Sequence, residues 1–220
     1  MCNIYYILLI FINIYIYNIN LNIYKKPINF IIWPSSVSNI DNYNEFKNKL
    51  YNKSLYNNLK LNIHISKNYT IPDKYKENAI LFGDYFSGLK VLQYNNNNIL
   101  SKITYGVTHN SLNKLYGVKY NYMKNNVSTL TMLGENDIYI SHRDIINEIN
   151  FNIKNNLIKN KVFIVKNCNH LCINNKNLSY KRRVYIFFNR KEKNNNQTEM
   201  LDIISENIIN YILEGIIGRY

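Results

Sequence analysis

Short, almost wholly apolar runs alternate with segments of helical periodicity along most of this chain, and this alternation limits the folds it can form. Ile28–Trp33, Ala79–Phe82 and Lys161–Lys166 are typical of these runs. Strands that are apolar along nearly their whole length are typical of parallel sheets whose two faces are both covered. The sequence therefore predicts an α/β fold, a doubly wound and mostly parallel sheet with helices on both faces.

Three further runs complete the predicted sheet, and helical segments separate the runs. The additional strands are predicted at Leu59–Ser66, Ile103–Val107 and Val127–Leu133. The helices are predicted at Ser38–Tyr56, Leu89–Tyr94, Arg143–Ile158 and Glu199–Leu213, and Asp41 is the predicted N-cap of the first.

The connection Lys67–Asn78 departs from this alternation. It contains Pro72, has weak periodicity and barely reaches the dozen residues that a parallel crossover needs. Two alternatives stay open, an irregular crossover and a gene model that lacks an exon between residues 66 and 79.

The length of the chain fits a single domain. Its 220 residues are enough for one sizeable core, and we assign residues 27–220 to it, with residues 173–197 as an insertion of unassigned role. About one fifth of the residues are Asn, which together with Ile, Tyr and Lys is what AT-rich codons encode. Charge and low complexity are therefore weak guides to function in this chain.

The formal net charge of +13 is spread along the sequence, and its one dense run is Lys181-Arg182-Arg183. A solvated surface is a better interpretation of this pattern than an anion-binding patch. No RNA-binding sheet motif, helix-turn-helix or zinc-finger spacing accompanies it, so nucleic acid is not the predicted partner. The sequence identifies no protein partner.

The amino terminus carries an apolar run at residues 4–17, which is shorter than the roughly 20 residues of a membrane span. Residues 1–24 are interpreted either as a signal peptide or signal anchor, or as an Ile- and Tyr-rich strand or an artefact of the gene start. No Lys or Arg precedes the run, and no small-x-small cleavage site follows it. The first interpretation predicts the secretory pathway or a membrane contact through residues 4–17, and the second predicts the cytoplasm.

Three cysteines, Cys2, Cys168 and Cys172, do not predict a disulfide framework, and their number is odd. Cys168-x-His170-x-Cys172 contains residue types that bind metals. Structural zinc, however, needs four ligands, usually in two spaced pairs. We predict no metal and no cofactor.

Three strand ends carry polar residues in an informative order. The turn Gly83-Asp84-Tyr85-Phe86-Ser87-Gly88 follows a short apolar strand, Gly134-Glu135-Asn136-Asp137 follows the fifth run, and Asn167-Cys168-Asn169-His170 follows the sixth. In open α/β sheets, ligands bind at the carboxyl ends of the strands. The three turns resemble the nucleophile elbow, the acid turn and the histidine loop of the α/β-hydrolase superfamily, in that family's chain order. The resemblance covers most of the chain.

This resemblance implies a role for each of these positions. Tyr85 takes the nucleophile position, Asp137 the acid and His170 the base, and the intervals of 52 and 33 residues between them fit a form with a minimal cap. The implied oxyanion-hole donors are the amide of Phe86 and that of Ser35 or Ser36. Pro34 precedes these serines, whereas the family usually has a His-Gly or Pro-Gly sequence in this loop.

Tyr85 is the main departure from the family, because acyl transfer needs a hydroxyl or thiol close to the turn backbone. The phenol oxygen lies several ångströms beyond the position of a serine Oγ. Asp84 and Ser87 are alternative nucleophiles, and each is out of register with the motif. Two functions stay open: an esterase- or lipase-like acyl hydrolase with a degenerate site, acting on a small-molecule or lipid ester, and a non-catalytic protein that binds through the former pocket or its basic surface.

Overall fold

The computed structural model describes residues 26–35, 39–96, 98–108, 127–137, 140–154, 160–169, 172–173 and 197–217. Six strands in these ranges form one sheet in which every pairing is parallel. The strands are β1 Ile28–Trp33, β2 Leu61–Ile65, β3 Ala79–Asp84, β4 Ile99–Tyr105, β5 Ser128–Gly134 and β6 Lys161–Val165. Their order across the sheet is β2-β1-β3-β4-β5-β6. The predicted parallel α/β fold is therefore confirmed.

Helices cover both faces of this sheet. They are α1 Asn44–Tyr56, α2 Tyr85–Gln93, α3 His142–Lys154 and α4 Gln197–Ile217. The main core joins α1 and α4 to one face, with Phe30, Phe82 and Ile204 among its fully buried members. On the other face, Val91 of α2 packs against Leu81.

Several predicted boundaries were wrong near the middle of the chain. Helix α2 begins at Tyr85 and not at Leu89, because the strand turns directly into the helix. Strand β4 begins at Ile99, before the predicted start at Ile103. Asp41 is not an N-cap: its amide donates to the side chain of Asn39, which caps a short 3-10 helix that precedes α1.

The connection from β2 to β3 is an irregular crossover, and the structure describes all of its residues, 66–78. A 3-10 turn at Asp73–Tyr75 is the only helical element in this range. Ile71 is buried with Ile31 and Trp33, and the ring of Tyr69 meets the Trp33 ring edge-on with centroids 5.9 Å apart. Side chains of the crossover therefore cover the sheet where a helix would otherwise lie.

Helices α1 and α4 run parallel to each other, as their polar contacts demonstrate. Lys49 Nζ lies 2.5 Å from Asp202 Oδ2, and Lys53 Nζ lies 3.1 Å from Glu206 Oε2. The second pair is one turn further along both helices than the first, which requires parallel axes. Because α1 follows the carboxyl end of β1, both helices begin on the side of the carboxyl edge of the sheet.

Helix α3 turns part of its apolar surface outward. Ile146, Ile149 and Ile153 are exposed, whereas Glu148 and Asn152 are buried. Most surface helices of globular proteins bury the apolar stripe.

Across the described ranges, none of the helices combines the length and apolarity that a bilayer crossing requires. The predicted signal or anchor segment, residues 1–24, and most of the insertion at 173–197 lie outside the described residues.

The end of α1 supports a local prediction. The amide of Asn58 donates to the Leu55 carbonyl at 3.0 Å, that of Leu59 donates to Ser54 at 2.8 Å, and Asn58 has a φ of 55°. This is a Schellman cap, whose left-handed residue is usually glycine. We expect Asn58→Gly to raise the free energy of unfolding by about 0.5 kcal/mol and Asn58→Ala to lower it by about 1 kcal/mol, measured by urea denaturation. Equal stability of the two variants would contradict this assignment.

Candidate functional site

The three turns singled out from the sequence lie at the carboxyl edge of the sheet, as far as the structure describes them. Strand β3 leads into the turn at Tyr85, β5 leads into the turn that ends at Asp137, and β6 leads into the loop at residues 166–169. Because all six strands are parallel, these three turns lie on the same edge. This edge is where an open α/β sheet binds its ligands.

The turn after β3 is sharp and places Tyr85 in a strained conformation. Tyr85 has a φ of 54°, in the left-handed region that disfavours residues with a Cβ, and it is the first residue of α2. A Cβ on Gly83 would lie 2.6 Å from the Ser87 carbonyl carbon, and one on Gly88 would lie 3.0 Å from the Gly83 oxygen. Both glycines are therefore needed for α2 to return so closely over β3. Strain of this kind persists only where the surrounding packing holds it.

The two other oxygen-bearing side chains of this turn are buried in hydrogen bonds. Ser87 is fully buried, and its Oγ accepts from the Asp84 amide at 2.9 Å and lies 2.6 Å from the Asp84 carbonyl oxygen, to which it donates. The Asp84 carboxylate is 2% exposed and accepts from the Tyr43 hydroxyl at 2.6 Å. Neither side chain faces solvent at the sheet edge. Tyr85, by contrast, is partly exposed.

The loop after β1 lies beside this turn. The register pairs Trp33, the last residue of β1, with Gly83, and Ser35 follows two residues after Trp33. The Ser35 amide, one of the predicted oxyanion donors, donates to the Tyr43 hydroxyl at 2.8 Å. The amide of Phe86 belongs to the first turn of α2, where amides have no carbonyl partner within the helix. Ser36, the alternative to Ser35, lies outside the described residues.

The turn after β5 is joined to the loop after β6. Asp137 is buried, and its amide donates to the Gly134 carbonyl at 3.2 Å. The amide of Asn136 donates to the Cys168 carbonyl at 2.9 Å, and a Cβ on Gly134 would lie 2.4 Å from the same oxygen. The predicted acid turn and the predicted histidine loop are thus in direct backbone contact. His170 itself lies outside the described residues, so its role as the base stays a prediction.

Two features of this loop were missed from the sequence. The Tyr105 hydroxyl, at the end of β4, donates to the Asn169 carbonyl at 2.5 Å and so connects the loop after β6 to β4. Cys168 and Cys172 form a disulfide, so the two sulfurs bind each other instead of acting as thiolate ligands. Their spacing of four residues was the available signal, whereas the odd total of three cysteines pointed away from a pairing. No cluster of three potential metal ligands exists among the residues described.

Two groups with a shifted pKa lie outside the three turns. Lys102 on β4 is 1% exposed, donates to the Leu92 carbonyl at 2.9 Å, and burial lowers the pKa of its ammonium group to about 8. The pKa of His64, on the edge strand β2, is lowered by burial and then by the charges of Lys74 and Lys47. Neither group lies in the turns described above.

Comparisons with known proteins add no constraint on this site. No model of a known protein family matches the sequence, and a search of curated proteins finds no significant match. The function of the site therefore has to be inferred from its geometry alone.

Proposed function

We propose that this chain is an α/β-hydrolase-fold protein whose serine-hydrolase-type site has been disarmed at the nucleophile position. The observation that carries the proposal is the left-handed backbone of Tyr85, with a φ of 54°, at a strand-to-helix turn whose flanking glycines have no room for a Cβ. In hydrolases of this fold, the nucleophile occupies such a strained turn at the top of the sheet.

The neighbouring turns support the same proposal. Asp137 is a buried carboxylate directly past β5, and the turn that holds it contacts the loop leading to His170. A buried acid that orients a histidine base is the second half of this catalytic arrangement. We therefore retain Asp137 as the acid and His170 as the base of the ancestral site.

The loss of the nucleophile follows from the chemistry of the side chains in the turn after β3. A phenol is longer than a serine side chain, so its oxygen would overshoot a carbonyl held at the Phe86 amide. Phenoxide is also a good leaving group, which makes an acyl-tyrosine a poor product of attack. Asp84 and Ser87 are committed to buried hydrogen bonds, so neither substitutes for the missing nucleophile. We infer that the site at the carboxyl edge binds a small-molecule or lipid ester, or a related carbonyl compound, without cleaving it.

The test is covalent labelling with a fluorophosphonate, which reacts with an activated serine. We expect no labelling of the natural protein and stoichiometric labelling of Tyr85→Ser, because serine places its Oγ where the phenol ring now begins. Labelling should disappear in the Tyr85→Ser, His170→Ala double variant, since His170 is the proposed base. Intact-mass spectrometry provides the readout.

Tyr51→Ser is the matched control, because Tyr51 is an exposed tyrosine on α1, away from the turn. It should remain unlabelled. Labelling of the natural protein that is lost in His170→Ala would show a working nucleophile elsewhere and would contradict the disarmed site. A folded Tyr85→Ser protein that does not react would contradict the hydrolase assignment as a whole.

A further inference from the structure

A buried chain of hydrogen bonds connects the loop after β1 to the turn after β3. The Ser35 amide donates to the Tyr43 hydroxyl at 2.8 Å, and that hydroxyl donates to Asp84 Oδ1 at 2.6 Å. Tyr43 is fully buried, and Ser35 and Asp84 are 1% and 2% exposed. The three groups therefore interact away from bulk water, where such bonds are strong and unpaired groups are costly.

The two hydrogen bonds of the Tyr43 hydroxyl have fixed directions. The Ser35 N–H can only donate, so the Tyr43 hydroxyl oxygen accepts it, and the single proton of that hydroxyl goes to Asp84 Oδ1. The Ser35 amide is thus directed toward Tyr43 on the α1 side of the sheet. An oxyanion donor has to point at the position that the oxyanion will occupy.

We propose that Tyr43 is a positioning residue that withholds the Ser35 amide from the ligand site, so that the site is disarmed at a second place besides Tyr85. This inference rests on the proposed function, because it concerns the same site. Restoring serine at position 85 would then re-create the nucleophile while leaving Phe86 without a second donor from Ser35. The Tyr85→Ser protein should consequently react slowly.

The first experiment follows the Ser35 amide and does not depend on any activity. In Tyr43→Phe the acceptor of this N–H is removed while the ring is kept. We expect hydrogen exchange at the Ser35 amide, measured by NMR, to accelerate at least about tenfold relative to the natural protein, because the hydrogen bond that protects this amide from exchange is lost. Unchanged exchange at Ser35 in a folded variant would overturn the proposal by itself.

The second experiment measures the rate of fluorophosphonate labelling. We expect the Tyr43→Phe, Tyr85→Ser protein to react at least about tenfold faster than Tyr85→Ser, a fraction of the roughly hundred- to thousandfold that one oxyanion donor contributes to turnover. Equal rates, with accelerated exchange at Ser35, would overturn the role of Tyr43 in the site. Absence of labelling in both proteins would instead contradict the proposed function, so the two failures are distinguishable.

Tyr211→Phe is the control for loss of a buried tyrosine hydroxyl. Tyr211 lies on α4, is 7% exposed and has its hydroxyl 2.9 Å from the Ser101 Oγ. In the Tyr85→Ser background, this substitution should lower stability without changing either the Ser35 exchange rate or the labelling rate. An equal acceleration of labelling in this control would show that the effect of Tyr43→Phe is general loosening, and would overturn the positioning role.

Discussion

Replacing Lys102 by methionine should remove a pH dependence of about 3 kcal/mol from the stability of this protein. The lysine lies on β4 in the middle of the sheet, 1% exposed, and burial lowers its pKa from 10.5 to about 8. An ammonium group loses its hydration when it is buried, and the hydrogen bond to the Leu92 carbonyl replaces only part of it.

The sign of the effect follows from proton binding. Between pH 8 and pH 10.5 the unfolded chain holds the Lys102 proton and the folded chain has released it. The unfolded state therefore binds more protons, and the free energy of unfolding rises with pH across this window. A difference of about 2.5 pKa units at 1.36 kcal/mol per unit corresponds to about 3 kcal/mol.

Urea unfolding of the natural protein and of Lys102→Met at about pH 7.5, 9 and 10.5 would measure this dependence. The stability of the variant relative to the natural protein should be greatest at the lowest of these pH values and should fall by about 3 kcal/mol at the highest. Taking the difference cancels the titration of the tyrosines, which both proteins share. Lys90→Met is the matched variant for loss of a lysine side chain, because Lys90 is exposed on α2. A constant stability difference between Lys102→Met and the natural protein would mean that the folded protein keeps Lys102 charged.

Alanine at position 134 should destabilise the protein by about 3 kcal/mol, at the upper end of the usual cost of overpacking. Gly134 ends β5, and a Cβ there would lie 2.4 Å from the Cys168 oxygen and 2.8 Å from the carbonyl carbon. Both are backbone atoms, so no rotamer change relieves the clash. The two loops must separate, which breaks the bond from the Asn136 amide to the Cys168 carbonyl.

Gly215→Ala is the matched control for this substitution. Gly215 lies in α4, and a Cβ there would meet no atom within 4 Å. Because glycine in a helix costs up to about 1 kcal/mol relative to alanine, we expect a small gain in stability. Thermal unfolding and hydrogen exchange at Asn136 would test both variants. A Gly134→Ala protein as stable as the natural one would mean that the two turns are not packed as described.

The local elements of the fold were predictable from the sequence because their signals are local. Strand β1 was predicted at its observed bounds, since a short run of mostly apolar, branched and aromatic residues that ends at a proline strongly favours a buried strand. The start of α2 was missed, because Tyr85 is not a residue that prefers a left-handed turn, and the close return of α2 over β3 requires that conformation. The start of β4 was missed because Ser101 and Lys102 interrupt its apolar pattern, and both are buried through partners on other segments.

The sequence by itself determined the parallel α/β class and the three strand ends where polar residues gather, because both follow from periodicity and chain order. Only the tertiary structure decided how those residues are used. Tyr43 and Asp84 are 41 residues apart, and their bond exists because the parallel pairing of β1 and β3 brings the two segments together. Tyr105 and Asn169 meet for the same reason across β4, β5 and β6. A hydrogen bond between distant segments depends on which strands pair and in which register, and both are fixed only when the hydrophobic faces of those strands pack together.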